Sequence, residues 1–275
     1  MITFEDIMTR GLIYYDSQYS AKCKEFCQIR NISYLPHIGN PNKYYEYEVD
    51  GDRLNEKNIP PKQIVQLTDS IFSHHVYKKF KDFGIIFVKQ GEVLRGIVHF
   101  SDYNRSVVYD YIYLRLNRLE RGLIRLIVSY QKYTRKDLKD FLSPKSGIFE
   151  KNGTDLNSLL TESDFRAKKE NGGDQISLTK ILEFAVKHEI LFIHDSDLEK
   201  IVEIRNLIAH SGFLVEKSNG SEFDYNIESF IRLVKCFASI EIVLKQLLNR
   251  FYFLYTEKDH YPISPVISLE SFLTD

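Results

Sequence analysis

The sequence predicts an α+β N-terminal half followed by an all-α helical bundle. Two changes of texture predict it. Residues 1–105 alternate short helical stretches with apolar runs of strand length, separated by turn clusters such as Gly39-Asn40-Pro41-Asn42 and Gln90-Gly91-Glu92. From residue 106 onward, apolar residues recur at spacings of three and four over long segments. The length of 275 residues accommodates two domains. A composition of 43% hydrophobic and 27% charged residues excludes a largely disordered chain. The expected division is residues 1–105, 106–258 and an irregular tail 259–275 containing Pro262 and Pro265.

In the first half, Ser17–Arg30 reads as a helix and Ser33–Ile38 as a strand. The Tyr-rich stretch Lys43–Val49 returns as a second strand, and polar Asp50–Pro61 reads as a linker. The pattern then recurs: a helix over His74–Phe83, a strand over Ile85–Lys89, and a return strand over Val93–Phe100. Two helix–strand–strand copies imply a weak internal repeat of about 60 residues. Ser101-Asp102 offers an N-cap for a long helix from Asp102 to Tyr130, because these oxygens accept the free N–H groups of a first turn.

That helix carries Ile112, Leu116, Leu119, Leu123, Leu126 and Ile127 on one face. Residues 131–176 are polar and read as a long loop. A second helix runs from a Ser177 cap to His188 with Leu178, Ile181, Leu182, Ala185 and Val186 inward. Ser196-Asp197-Leu198-Glu199 has capping-box spacing and opens a third helix, which Ser211-Gly212 ends. Asn226–Tyr255 closes the bundle, with Phe230, Val234, Phe237, Ile240, Leu244, Leu247 and Phe251 as its stripe.

Charge does not mark the boundary. Residues 1–110 carry 14 basic and 14 acidic side chains, residues 111–275 carry 23 and 24, and the net charge is −1. This balance argues against a polybasic nucleic-acid binder, so contact with nucleic acid must come from a local patch. No apolar run is long enough to span a membrane, and the N-terminus lacks a basic region followed by an apolar run, so no membrane partner and no secretory signal are expected. Three cysteines, Cys23, Cys27 and Cys236, suggest reduced thiols and a cytoplasmic location. Cys23 and Cys27 stand at i and i+4 and read as helix packing rather than metal ligation, because no second ligand pair has zinc spacing. No metal is expected.

The residues best suited to chemistry are Arg205-Asn206-Leu207-Ile208-Ala209-His210 in the third bundle helix. Arginine forks onto phosphate with a permanent charge. Histidine moves a proton near neutral pH. Together they can stabilise a pentacoordinate phosphate without a metal. Asn206 falls between them in angle and could orient either. With 14 Arg and 8 His in the chain, chance alone yields about 0.4 such Arg-x4-His pairs, so the spacing by itself decides little. Arg30-Asn31 and His37 fit a looser version, but Pro36 and the change from helix to strand break that scaffold. The competing reading makes Arg205 an ion-paired arginine on the apolar face of Leu198, Ile201, Val202 and Ile208. It makes His210 a histidine placed favourably at a helix C-terminus.

On Arg205, Asn206 and His210, and on the surrounding helices, residues 109–257 resemble a HEPN domain, whose signature is Arg-x4-6-His with a polar residue after the Arg. The resemblance implies a dimer whose motif helices build one composite site. It implies a metal-independent endoribonuclease, with His210 as acid/base, Arg205 on the scissile phosphate, and a 2′,3′-cyclic phosphate product. No cofactor is needed for that chemistry. A toxin or phage-defence role follows from the family alone, as does an antitoxin or nucleotidyltransferase partner.

In residues 1–105, Gly96-Ile97-Val98-His99-Phe100-Ser101-Asp102 resembles the Gly-x-x-Thr-x-x-Asp segment of CBS-domain pairs, or Bateman modules. Gly96 and Asp102 match; His99 replaces the Thr, and Ser101 is a neighbouring hydroxyl. The resemblance implies an adenine-type nucleotide as regulatory ligand, with Asp102 accepting hydrogen bonds from its ribose. The first copy, from Asp6-Ile7-Met8-Thr9-Arg10, is degenerate and has no equivalent of Asp102. A simple N-cap is the competing role for Asp102.

Arg115, Arg118, Arg121 and Arg125 recur at helical spacing and could track an RNA backbone; a solvated face paired with Glu120 explains them as well. Tyr44, Tyr45 and Tyr47 could stack on a base, but alternation in a half-buried strand accounts for them. His74-His75 reads as surface. The leading expectation is a nucleotide-regulated endoribonuclease acting as a homodimer on RNA. The rival is a non-catalytic, adenine-nucleotide-sensing dimer or adaptor.

Overall fold

The computed structural model describes residues 1–30, 32–73, 75–129, 178–187, 189–210, 212–218 and 225–256, of which 124–125, 128–129 and 251–256 are described in backbone only. The loop 131–176, the Ser177 cap, Ser211 and the tail 259–275 lie outside them. Mixed α+β architecture is present, with seven α-helices and two small sheets among the described residues. The chain divides into two compact units, Met1–Tyr111 with His210–Val234, and Ile112–Ala209 with Lys235–Asp275.

In the first unit, a four-residue helix α1 (Phe4–Ile7) precedes α2 (Ser20–Arg30) and a meander of β1 (Tyr34–Pro36), β2 (Lys43–Glu48) and β3 (Arg53–Asn58). Strand β4 (Ile64–Gln66) then pairs parallel to β5 (Ile85–Gln90), with α3 (Val76–Phe83) between them, and β6 (Val93–His99) returns antiparallel. Strand β5 is central in its sheet and buried from Ile85 to Lys89, hence its unbroken apolar run. Edge strand β6 alternates, burying Leu94, Gly96 and Val98. Gly91, at φ 60°, supplies the left-handed turn between them.

Both helix–strand–strand copies are present as α2–β1–β2 and α3–β5–β6, but their third strands differ. The first sheet adds β3 antiparallel after its hairpin; the second adds β4 parallel before it. Strand β3 corrects the expected linker. Its one apolar residue is Leu54, so the binary pattern is silent there. Cross-strand pairs hold it instead: Lys57 with Glu46, Lys43 with Glu56 at 2.5 Å, and the Tyr45 hydroxyl donating to Glu56 at 2.8 Å. Tyr44, Ile59, Ile85, Phe87 and Leu94 join the two sheets in one cluster. Cys23, Cys27, Leu35 and Tyr47 fix α2 to the first sheet. The thiols are free and buried, and burial, then the neighbouring Cys23, pushes the Cys27 thiol up to about 11.

The expected helix from Asp102 is also corrected. A 3-10 turn covers Phe100–Asn104, Arg105 is extended, and α4 runs from Ser106 to Ser129. Segment His210–Val234 belongs to the first unit through exchanged hydrogen bonds: Asn104 Nδ2 donates to Val215 O and Val215 N donates to Asn104 Oδ1, each at 2.8 Å. Phe230 packs its ring against Phe80, Phe100 and Tyr103.

The second unit contains the rest of α4, α5 (Leu178–Lys187), α6 (Asp195–Ala209) and α7 (Ile227–Thr256) from Lys235. The stripes are as periodicity requires: Ile112, Leu116, Leu119, Leu123 and Leu126 are buried, as are Leu178, Ile181, Leu182 and Ala185. Helix α7 buries a wider face than its stripe, adding Leu233, Cys236, Ser239 and Val243. Asn226 caps it, its Oδ1 accepting from Glu228 N at 2.9 Å. Helix α6 starts at Asp195, one residue before the expected cap, because His194 O already accepts from Asp197 N; Ser196 sits in the first turn. Among the described residues, no helix is long and apolar enough to cross a membrane.

Candidate functional site

Helix α6 positions Arg205 by burying Ile201 and Ile204 completely. Arg205 is four residues after Ile201, at the margin of that apolar face, and is half-buried. Its Nη1 donates to Asn206 Oδ1 at 3.2 Å. Among the described residues no carboxylate is recorded within ion-pair distance of Arg205. The acid two residues earlier, Glu203, accepts a weak hydrogen bond from the Cys236 thiol at 3.8 Å. Asn206 is exposed. The helix ends at Ala209, so His210 is the first residue beyond it, in a turn, and exposed. The division between the compact units falls between Ala209 and His210.

The second predicted cluster lies wholly in the first unit. Gly96 faces Met8 so closely that a Cβ there would stand 2.6 Å from Met8 Sδ and 2.9 Å from Met8 Cβ. His99 Nδ1 lies 2.7 Å from Ser101 Oγ and accepts from Ser101 N at 3.2 Å. Asp102 Oδ2 accepts from His99 N at 2.9 Å. Its Oδ1 accepts from Arg105 Nη2 at 2.8 Å and Nε at 3.1 Å. Arg105 reaches on to Met8 O and Thr9 Oγ1. His99, Ser101 and Asp102 come together, their polar atoms bonded to one another and to Arg105, whereas Gly96 faces Met8 instead. Burial lowers the pKa of His99 below its ordinary value, with Asp102 opposing. The Tyr225 ring lies edge-on to the imidazole at 6.1 Å.

The arginines of α4 divide. Arg115 Nη2 donates to Glu241 Oε2 of α7 at 2.8 Å, so Arg115 is a helix–helix tie. Arg118 is half-buried and its charge acts on the same Glu241; Arg121 is exposed. The Arg125 side chain lies outside the described residues. In the Tyr-rich strand, Tyr44 and Tyr47 are buried, while the Tyr45 ring meets a tilted Tyr15 ring at 3.8 Å and a stacked His37 ring at 5.7 Å. Their rings are committed to the fold. His75 is exposed; His74 lies outside the described residues. Among the described residues no group of three or more His, Cys, Asp or Glu could hold a metal ion.

Sequence reasoning missed Arg105 and Phe192. Arg105 had a signal, since an Asp at i and an Arg at i+3 can pair on a turn. Phe192 lies in the run Ile190-Leu191-Phe192-Ile193, where nothing in the pattern says which side chain faces outward. Comparison with protein-family models, with curated proteins and with solved structures finds no match.

Proposed function

We propose that the protein is a nucleotide-regulated, metal-independent endoribonuclease that acts as a homodimer. What supports the reading is the state of Arg205. Its guanidinium sits at the edge of an apolar helix face, oriented by the Asn206 amide and paired with no carboxylate among the described residues. A half-buried cation of this kind has charge and donors to offer an anion.

In the proposed reaction Arg205 binds the scissile phosphate. His210 takes the proton from the ribose 2′-hydroxyl as that oxygen attacks phosphorus. The P–O5′ bond breaks, the leaving 5′-oxygen takes a proton from water, His210 returns its proton to solvent, and a 2′,3′-cyclic phosphate remains. The HEPN-like resemblance of the helical half motivates a composite site between two copies. The CBS-like resemblance of the first half motivates control by an adenine-type nucleotide near Asp102. There a ribose would exchange with Arg105 on the carboxylate, which makes the Asp102–Arg105 contact the element that such a ligand would bias.

Incubation of single-stranded RNA with the protein in EDTA tests the reading. Fragments ending in 2′,3′-cyclic phosphate are expected. A dimer that binds adenine nucleotide but leaves RNA intact would favour the adaptor. Calorimetry with AMP, ADP, ATP and S-adenosylmethionine tests the regulatory part; binding heat unchanged by Asp102→Ala would remove that pocket.

A further inference from the structure

We infer that Phe192, with Arg250 beside it, is a stacking site for an unpaired nucleobase of bound RNA. The inference rests on the RNA reading proposed above. Phe192 and Arg250 both belong to the second unit. The two preceding residues, Ile190 and Leu191, are buried, so they anchor the segment between α5 and α6. The next residue, Phe192, is 63% exposed. Its main chain is pinned on both sides by one side chain of α7: Phe192 N donates to Gln246 Oε1 at 3.1 Å, and Gln246 Nε2 donates to Phe192 O at 2.8 Å. An exposed aromatic ring held this firmly loses little entropy on meeting a partner.

One turn further along α7, the Arg250 guanidinium lies 5.1 Å from the ring centroid. A ring with a cation over one face matches a nucleotide: the base would stack on the opposite face, and the guanidinium would meet the phosphate. Glu189 and Asp195 bracket the segment in sequence, so the surface is not broadly cationic. Among the described residues, Arg250 is the cation recorded over the ring. An aromatic ring and a permanent cation together fit the base and the phosphate of a nucleic-acid strand. Unstacked bases of single-stranded RNA are the kind that proteins place on aromatic rings.

The test uses the full chain in EDTA and a single-stranded 2′-O-methyl oligonucleotide containing one 2-aminopurine. That probe cannot be cut by 2′-hydroxyl attack, and its fluorescence falls when the base stacks. Wild type is expected to bind and quench it. Phe192→Ala and Phe192→Leu should each weaken binding about tenfold and abolish quenching, while Phe192→Trp retains both. Arg250→Gln should weaken binding and flatten its salt dependence. Equal binding by wild type and Phe192→Ala, or no binding by wild type, would overturn the inference. So would a change of oligomeric mass in Phe192→Ala, which would assign the ring to contact between copies. The same variants with ordinary RNA separate the two readings. Phe192-dependent quenching without cleavage refutes the nuclease and keeps the stacking site. Cleavage with quenching indifferent to Phe192 does the reverse.

Discussion

Arg105 grips Asp102 with two nitrogens, Nη2 at 2.8 Å and Nε at 3.1 Å, and this contact closes the turn that separates β6 from α4. The carboxylate is mostly buried and the guanidinium is partly open to water. Asp102→Ala is expected to destabilise the protein by about 1–2 kcal/mol, since it strands the His99 N–H and the Arg105 charge. Arg105→Ala should have a similar effect, and the double variant should be less destabilised than the sum. Urea denaturation of the four proteins measures the coupling; strict additivity would mean the contact carries no energy.

His99 gives the first unit an acid-sensitive point. Burial lowers its folded pKa below 6.5, and Asp102 only partly opposes this. The folded state therefore prefers neutral imidazole. Its stabilising contribution is complete above pH 6.5 and is lost as pH falls through the folded value. The midpoint of thermal unfolding should drop more steeply between pH 7 and about pH 5 in wild type than in His99→Asn. Parallel curves would show that His99 is not the group responsible.

Gly96 is required by packing. A Cβ at that position would meet Met8 at both Sδ and Cβ, and the Met8 Cβ cannot swing away as a side-chain end can. Gly96→Ala is expected to destabilise by about 1–3 kcal/mol. Urea unfolding reads this directly, and an unchanged midpoint would mean that Met8 repacks without strain.

Arg115 and Glu241 tie α4 to α7. Burial raises the Glu241 pKa, while Arg115 pulls it down. Arg115→Met leaves that carboxylate without its bonded counter-charge and should destabilise by about 1–3 kcal/mol at pH 7. Because the folded pKa is raised, acidification toward 4.5 favours the folded state at this site, and more strongly in Arg115→Met than in wild type. Arg115→Met with Glu241→Met should recover most of the loss. A double variant as unstable as the single one would mean that packing, and not charge, is at issue.

The helical stripes were legible because burial and periodicity coincide, as at Leu116, Leu119 and Leu123 on α4. Strand β3 was not, since Arg53–Asn58 is built on polar cross-strand pairs that no apolar alternation announces. The break at Arg105 was hidden for a related reason: Asp102 looks like a cap for the following helix, and only the folded chain shows its oxygens turned to His99 and Arg105. At the candidate site, the residue types Arg205, Asn206 and His210 could be read from the chain. The chain allowed Asn206 to orient either Arg205 or His210; that its amide oxygen accepts from Arg205 is a rotamer choice that residue spacing does not fix.

The central proposal meets its most direct test in one assay: cleavage of single-stranded RNA in EDTA by wild type, Arg205→Ala and His210→Ala, with folding of each checked by circular dichroism. Cleavage by wild type and a loss of at least about 100-fold in both variants are expected. Equal cleavage by all three, or intact RNA with every protein, would contradict the assignment of Arg205 and His210.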